Sequence, residues 1–203
     1  MNTKDEKIDG RHQRLERSKA AVLQAVNDIV RETGEAPTAD TLSKRSGVSR
    51  RSIFRLFGSK SGLLKAASEF MYDELVERFP FPDLADLAPS DRIARFVDHI
   101  GSIHEYMAPF ARVSRKAQED EELIQRERMR IQALYQSEVR GAFATFGKVA
   151  TAAPILRDSA QLLLSWNAWD YLRNERKHSV EHSKQILAQT ILALLHQHGL
   201  VEK

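Results

Sequence analysis

The chain has 203 residues, 42% of them hydrophobic and 29% charged, with a formal net charge of +3 and no cysteine. That composition supports a buried core and argues against a disordered chain. The missing thiols exclude disulfides, thiolate zinc sites and a cysteine nucleophile. No apolar run approaches the roughly 18 residues of a membrane span, and the polar amino-terminal segment does not read as a signal peptide, so a cytoplasmic protein is expected. Residues 1–60 hold 13 Lys/Arg against 8 Asp/Glu (net +5), and residues 61–203 hold 18 against 20 (net −2). Between Thr41 and Ser68 lie seven bases (Lys44, Arg45, Arg50, Arg51, Arg55, Lys60 and Lys65) and no acid. A run of one sign inside a segment that also patterns as packed helices focuses a positive field on one face.

In chain order, residues 1–17 read as a flexible, mildly basic arm. From Ser18, a candidate N-cap, Val22, Leu23, Val26, Ile29 and Val30 recur at helical spacing until Gly34. Thr38 caps a short second helix over Ala39–Ser46, which Gly47 ends, and Ser49 caps a third from Arg50 to about Phe57. After Gly58-Ser59 a long helix is expected from about Lys60 to Arg78, stopped by Pro80 and Pro82. Further helices are predicted from Ser90-Asp91 to about Met107, then a short one beyond a kink at Pro109, Asp120 to about Phe146, Pro154 to about Arg176, and Ser179 to His198. No segment alternates with period two and no internal repeat is present, so the fold class is all-α with about nine helices. The expected domains are the arm, a block of short helices over 18–62, and a longer helical domain over 63–203.

Thr38–Lys60 carries the strongest functional signal. Two short helices joined by a turn of three or four residues must cross steeply, which calls for a small residue at the crossing (Ser43), a residue tolerant of positive φ (Gly47), and apolar anchors (Leu42, Val48, Ile53, Phe57). With the anchors inward, Arg50, Arg51, Ser52 and Arg55 are expected on the outer face of the third helix. Such a face suits the major groove, where arginine pairs in bidentate fashion with guanine. The caps at Thr38 and Ser49 and the helix start beside Lys60 are candidate phosphate clamps.

The block from about Ser18 to Leu64, above all A-D-T-L-S-K-R-S-G-V-S-R-R-S-I-F-R-L-F-G-S-K-S-G-L-L, resembles the DNA-binding domain of the TetR family of bacterial repressors. The resemblance implies a homodimer that binds a pseudo-palindromic double-stranded operator and releases it when a small effector binds. Phe54 stands where the family usually has a phosphate-contacting Tyr, and Leu56 where it usually has His. Phe54 cannot donate a hydrogen bond, so its role is expected to shift toward packing, with Arg55 or Lys60 supplying the contact.

Behind this block, the apolar residues of the last two predicted helices exceed what packing inside one subunit needs. The family's usual four-helix dimer bundle implies an interface here, with Leu156, Leu163, Ile186, Ile191, Leu194 and Leu195 as candidates. Phe96, Ile103, Tyr106, Met107, Phe110, Met129, Tyr135, Phe143, Trp166 and Trp169, with the polar His99, His104 and Asn167, are candidate lining of an apolar effector pocket. His178 and His182 are four apart but flank a turn, with no third ligand at suitable spacing. There is no phosphate loop, Ser-His-Asp signature or isolated carboxylate pair, so neither an enzyme nor a cofactor is expected. The competing expectation is a DNA-anchored dimerisation or protein-interaction module with no effector.

Overall fold

The computed structural model describes residues 3–116, 121–146 and 154–201. Among them are nine α-helices, one π-helical turn and no strand, so the fold is all-α. The helices are α1 (Thr3–Thr33), α2 (Ala39–Ser46), α3 (Arg50–Phe57), α4 (Lys60–Arg78), α5 (Pro89–Lys116), α6 (Glu121–Ala144), α7 (Pro154–Leu163), α8 (Trp166–Asp170) and α9 (Val180–Gln197), with the π turn at Tyr171–Glu175 after α8. None of them is long and apolar enough to cross a membrane.

The chain divides into two compact units: Met1–Val76 with Ala108–Glu127, and Glu77–Met107 with Arg128–Lys203. The first division falls within α4. In the first unit, Val22, Ala25, Ile29, Leu42 and Ile53 form a core, with Val26, Val48, Phe57 and Leu63 packed around it. A polar tie lies alongside: Asn27, wholly buried, donates to Glu74 Oε2 at 2.7 Å, and Arg31 covers the Phe110 ring at 5.0 Å. The second unit builds a larger core from Phe96, Ile100, Phe143, Leu156, Trp169, Leu187, Ile191 and their neighbours. There the Gly101 position admits the Trp169 ring, since a Cβ would lie 3.0 Å from it.

Three boundaries differ from the sequence expectation. First, α1 begins at Thr3, and Ser18 lies within it, its hydroxyl donating to the Arg14 carbonyl at 2.9 Å instead of capping. Residues such as Gln, Glu and Arg have good helix propensity, so the charged arm continues the helix outward. Second, α5 runs through Pro109 to Lys116 as one helix. Third, the predicted helix from Pro154 breaks at Leu164–Ser165, because Ser165 Oγ accepts the Ala168 N–H at 3.3 Å and starts α8. Of the helix expected from Asp120, the first residue lies outside the described residues.

Candidate functional site

Both short helices of the first unit are held by local caps. The Thr38 hydroxyl accepts the Thr41 N–H at 3.2 Å, while the Thr41 hydroxyl accepts the Thr38 N–H at 2.9 Å, closing a capping box on α2. Gly47 then takes φ 71°, a left-handed conformation that glycine adopts without Cβ strain, and its N–H returns to the Ser43 carbonyl at 3.1 Å. Two residues later Ser49 Oγ accepts the Ser52 N–H at 3.2 Å and starts α3. Its hydroxyl also donates to Ser52 Oγ at 3.0 Å. Thr38, Ser49 and Ser52 thus use their hydroxyls inside the caps, and Ser52 is half-buried rather than on the outer face.

At about 100° per residue, α3 splits cleanly into two arcs. Ile53 is buried, and Ser52, Leu56 and Phe57 are half-buried beside it. The opposite arc, of about 140°, carries Arg50, Phe54, Arg51 and Arg55 in that order, all exposed. Phe54 is 53% exposed, which corrects the expectation that it turns to packing. Its place on the wheel is one turn beyond Arg50, and the inward positions are already taken by Ile53 and Phe57.

The basic run is not uniform in its partners. Arg45 is bound to the Glu32 carboxylate through both guanidinium ends, one at 2.8 Å, tying α2 to α1. That hydrogen bonding holds the Glu32 carboxyl below its usual range and raises Arg45. Arg50 pairs with Asp40 at 3.0 Å across the turn, with both side chains largely in solvent. Arg51 and Arg55 have no ion-pair partner among the described residues. Lys60, exposed, opens α4.

Sequence reading missed Gly62. A Cβ there would lie 2.1 Å from the Phe57 carbonyl oxygen, so only glycine permits the approach of α4's first turn to the end of α3. Ser59 Oγ accepts the Gly62 N–H at 3.0 Å in the same turn. The signal was present in the S-K-S-G string, but the requirement is one of space and not of φ.

The proposed pocket residues do not gather as one set. Phe96, Ile103, Met107, Phe143 and Trp169 are buried, and Tyr135 and Trp166 pack partly buried against that core. Tyr106, half-buried, meets Phe79 edge-on at 5.2 Å. Phe110 belongs to the first unit, under Arg31. Asn167 is exposed and Met129 is 54% exposed, because both fall on the outer faces of their helices.

What the second unit does assemble is a buried polar chain. His104, wholly buried, faces the Leu164 carbonyl with Nε2 at 2.9 Å and the Tyr135 hydroxyl with Nδ1 at 3.2 Å. A carbonyl only accepts, so Nε2 carries the proton, and the Tyr135 hydroxyl donates to Nδ1. Burial pushes the His104 pKa down to about 4 and pushes Tyr135 well above its ordinary value. The His104 ring stacks on Trp169 at 5.8 Å and meets Trp166 edge-on at 5.8 Å. Trp166 Nε1 is buried without an acceptor among the described residues. Trp169 Nε1 donates to Glu105 at 2.9 Å, and Arg173 binds the same carboxylate at 2.9 Å, which raises the Arg173 pKa. Nearby, His99 Nε2 lies 3.0 Å from the buried Glu138. Glu105, Glu138 and Arg173 carried no periodicity or motif by which the sequence singles them out.

The expected interface residues also need correction. Leu156, Ile191 and Leu195 are fully buried in the core of a single chain. Leu163 and Leu194 pack against that core, and Ile186 is half-buried. The most apolar stripe of these helices is the inner one, as burial of apolar area dictates. The outward apolar residues are instead Ile155, 75% exposed, and Leu162, 70% exposed, seven apart on α7.

His178 and His182 meet edge-on at 4.7 Å, and among the described residues no group of three or more potential ligands has the geometry to hold a metal. No protein-family model, curated protein or solved structure matches the chain.

Proposed function

We propose that this protein is a DNA-binding transcriptional regulator of the TetR type, which binds a pseudo-palindromic duplex as a homodimer and leaves it when a small apolar or amphipathic effector binds. One observation carries the reading: the outward arc of α3 holds Arg50, Arg51 and Arg55 and no acid, on a helix fixed by caps and a three-helix core. A short, rigid, arginine-faced helix fits a major groove, and two such helices in a two-fold dimer meet successive groove faces about 34–36 Å apart. Self-association through Ile155 and Leu162 is supported by their exposure at helical spacing. The buried Trp166 Nε1 supports an effector that brings a hydrogen-bond acceptor into an otherwise apolar site.

The test is selection of duplexes from a random pool, followed by footprinting and titration. The expected footprint is two half-sites protected together. Arg51→Ala should lose about 1–3 kcal/mol of discrimination at one base position, whereas Lys60→Ala should weaken all sequences and lower the salt slope by about one. Protection of a single half-site by a monomer overturns the dimer, and equal losses on all sequences for both variants overturn the assigned roles. An effector that binds free and DNA-bound protein equally well leaves the dimerisation module as the better description.

A further inference from the structure

Phe54 is an apolar ring set among arginines, more than half in water, on the exposed face of α3. A single exposed hydrophobic residue is ordinary on a protein surface. Its position is not: on the wheel it lies between Arg50 and Arg51, one turn beyond Arg50, so a surface that meets both arginines lies within its reach. The Phe54 side chain neither donates nor accepts a hydrogen bond, and Leu56 on the same helix, equally apolar, is turned partly inward. On the major-groove edges of the four base pairs the apolar group is the thymine C5-methyl.

We propose that Phe54 reads a thymine C5-methyl, so that each half-site contains a thymine beside the base pairs read by the arginines; this rests on the DNA-binding reading above. Removing water from one methyl against the ring supplies specificity without a hydrogen bond, while Arg50 and Arg51 on either side hold the helix to the groove. The ring's partial exposure follows, since a side chain that contacts a ligand must stay uncovered in the free protein. Aromatic residues among cations also serve single-stranded nucleic acids, by stacking on bases. The duplex is favoured here because the ring is mounted on a rigid capped helix with its neighbours on one convex arc, which fits a groove better than a strand of splayed bases.

The experiment uses the full chain and the duplex it selects from a random pool. Each thymine of that duplex is replaced in turn by deoxyuracil, which removes the C5-methyl and leaves the pairing edge intact. For the wild type, one thymine per half-site should be sensitive, with affinity falling about fourfold on loss of its methyl. Phe54→Ala should bind the thymine and uracil duplexes equally; the ring is exposed, so the variant keeps its fold, and the substitution on the DNA needs no variant at all. The proposal is overturned if no thymine is sensitive, if Phe54→Ala retains the discrimination, or if single strands bind more tightly than the selected duplex. Those first two outcomes leave duplex recognition standing. Failure of the wild type to prefer any duplex sequence sinks the regulator reading and this inference together.

Discussion

In the α1–α3 head, the hydroxyls of Thr38 and Ser49 serve backbone N–H groups three residues away. In the second unit, alongside local caps such as Ser165, several polar groups serve partners far along the chain: His104 and Leu164 are 60 residues apart, Trp169 and Glu105 64, and Arg173 and Glu105 68. The head is a local construction whose small core holds three helices together and leaves the outer arc of α3 exposed. The second unit buries the His104–Leu164 hydrogen bond among rings, where a missing partner costs far more than it would at the surface. In the first unit the Asn27–Glu74 tie, with Arg31 beside the same carboxylate, resembles the second in this respect. Rigid presentation and buried polarity are therefore separate devices, and substitutions should affect the two regions differently.

The largest effect is expected at Trp169. Truncation to Ala removes a fully buried ring and its bond to Glu105, costing about 3–5 kcal/mol. Denaturant titration read separately on α3 exposure and on the second unit should show the loss confined to the latter. A loss under about 1 kcal/mol would mean that the ring is not a support of that core.

Acid should come next, through His104. Its folded pKa, about 4, is below the ordinary 6.5, so the unfolded chain takes up the proton first. The stability this neutral imidazole represents is fully present above about 6.5 and falls as pH drops toward about 4, by on the order of 3 kcal/mol. His104→Gln should flatten that slope in denaturation curves taken across the window. An unchanged slope breaks the assignment of a neutral, buried His104.

Gly62→Ala should be smaller, about 1–3 kcal/mol, because backbone and not a flexible side chain blocks the added methyl. The expected signature is a head that loses its α3–α4 junction while the second unit keeps its midpoint. The smallest change is Thr38→Ala, about 1 kcal/mol for the lost N-cap, measured as a small shift of the head's melting transition. Should Thr38→Ala match Gly62→Ala in cost, the head would be limited by its caps and not by the close approach at Phe57.

Much of the head was legible because its signals are short-range. The caps at Thr38 and Ser49, the left-handed Gly47, and the inward set Leu42, Val48, Ile53 and Phe57 all lie where periodicity and turn chemistry place them. Even the orientation of Phe54 is implied by the wheel once Ile53 and Phe57 are inside, although its chemistry suggested packing. Gly62 escaped because nothing in a helical φ marks a residue that must lack a Cβ.

The all-α class, the order of the short helices and the basic arc on α3 were determined by the sequence itself, since hydrophobic period, capping and charge act within a few residues. The fate of the second unit's residues was decided by tertiary structure. Leu156, Ile191 and Leu195 were apolar enough for an interface, yet the inner stripe buries more area and draws them into one chain's core, leaving Ile155 and Leu162 outside. The break at Leu164–Ser165 likewise needs His104, from 60 residues away, to take the carbonyl that the helix releases. A hydrogen bond between distant residues has no period to read, so it exists only once packing has brought its two ends together.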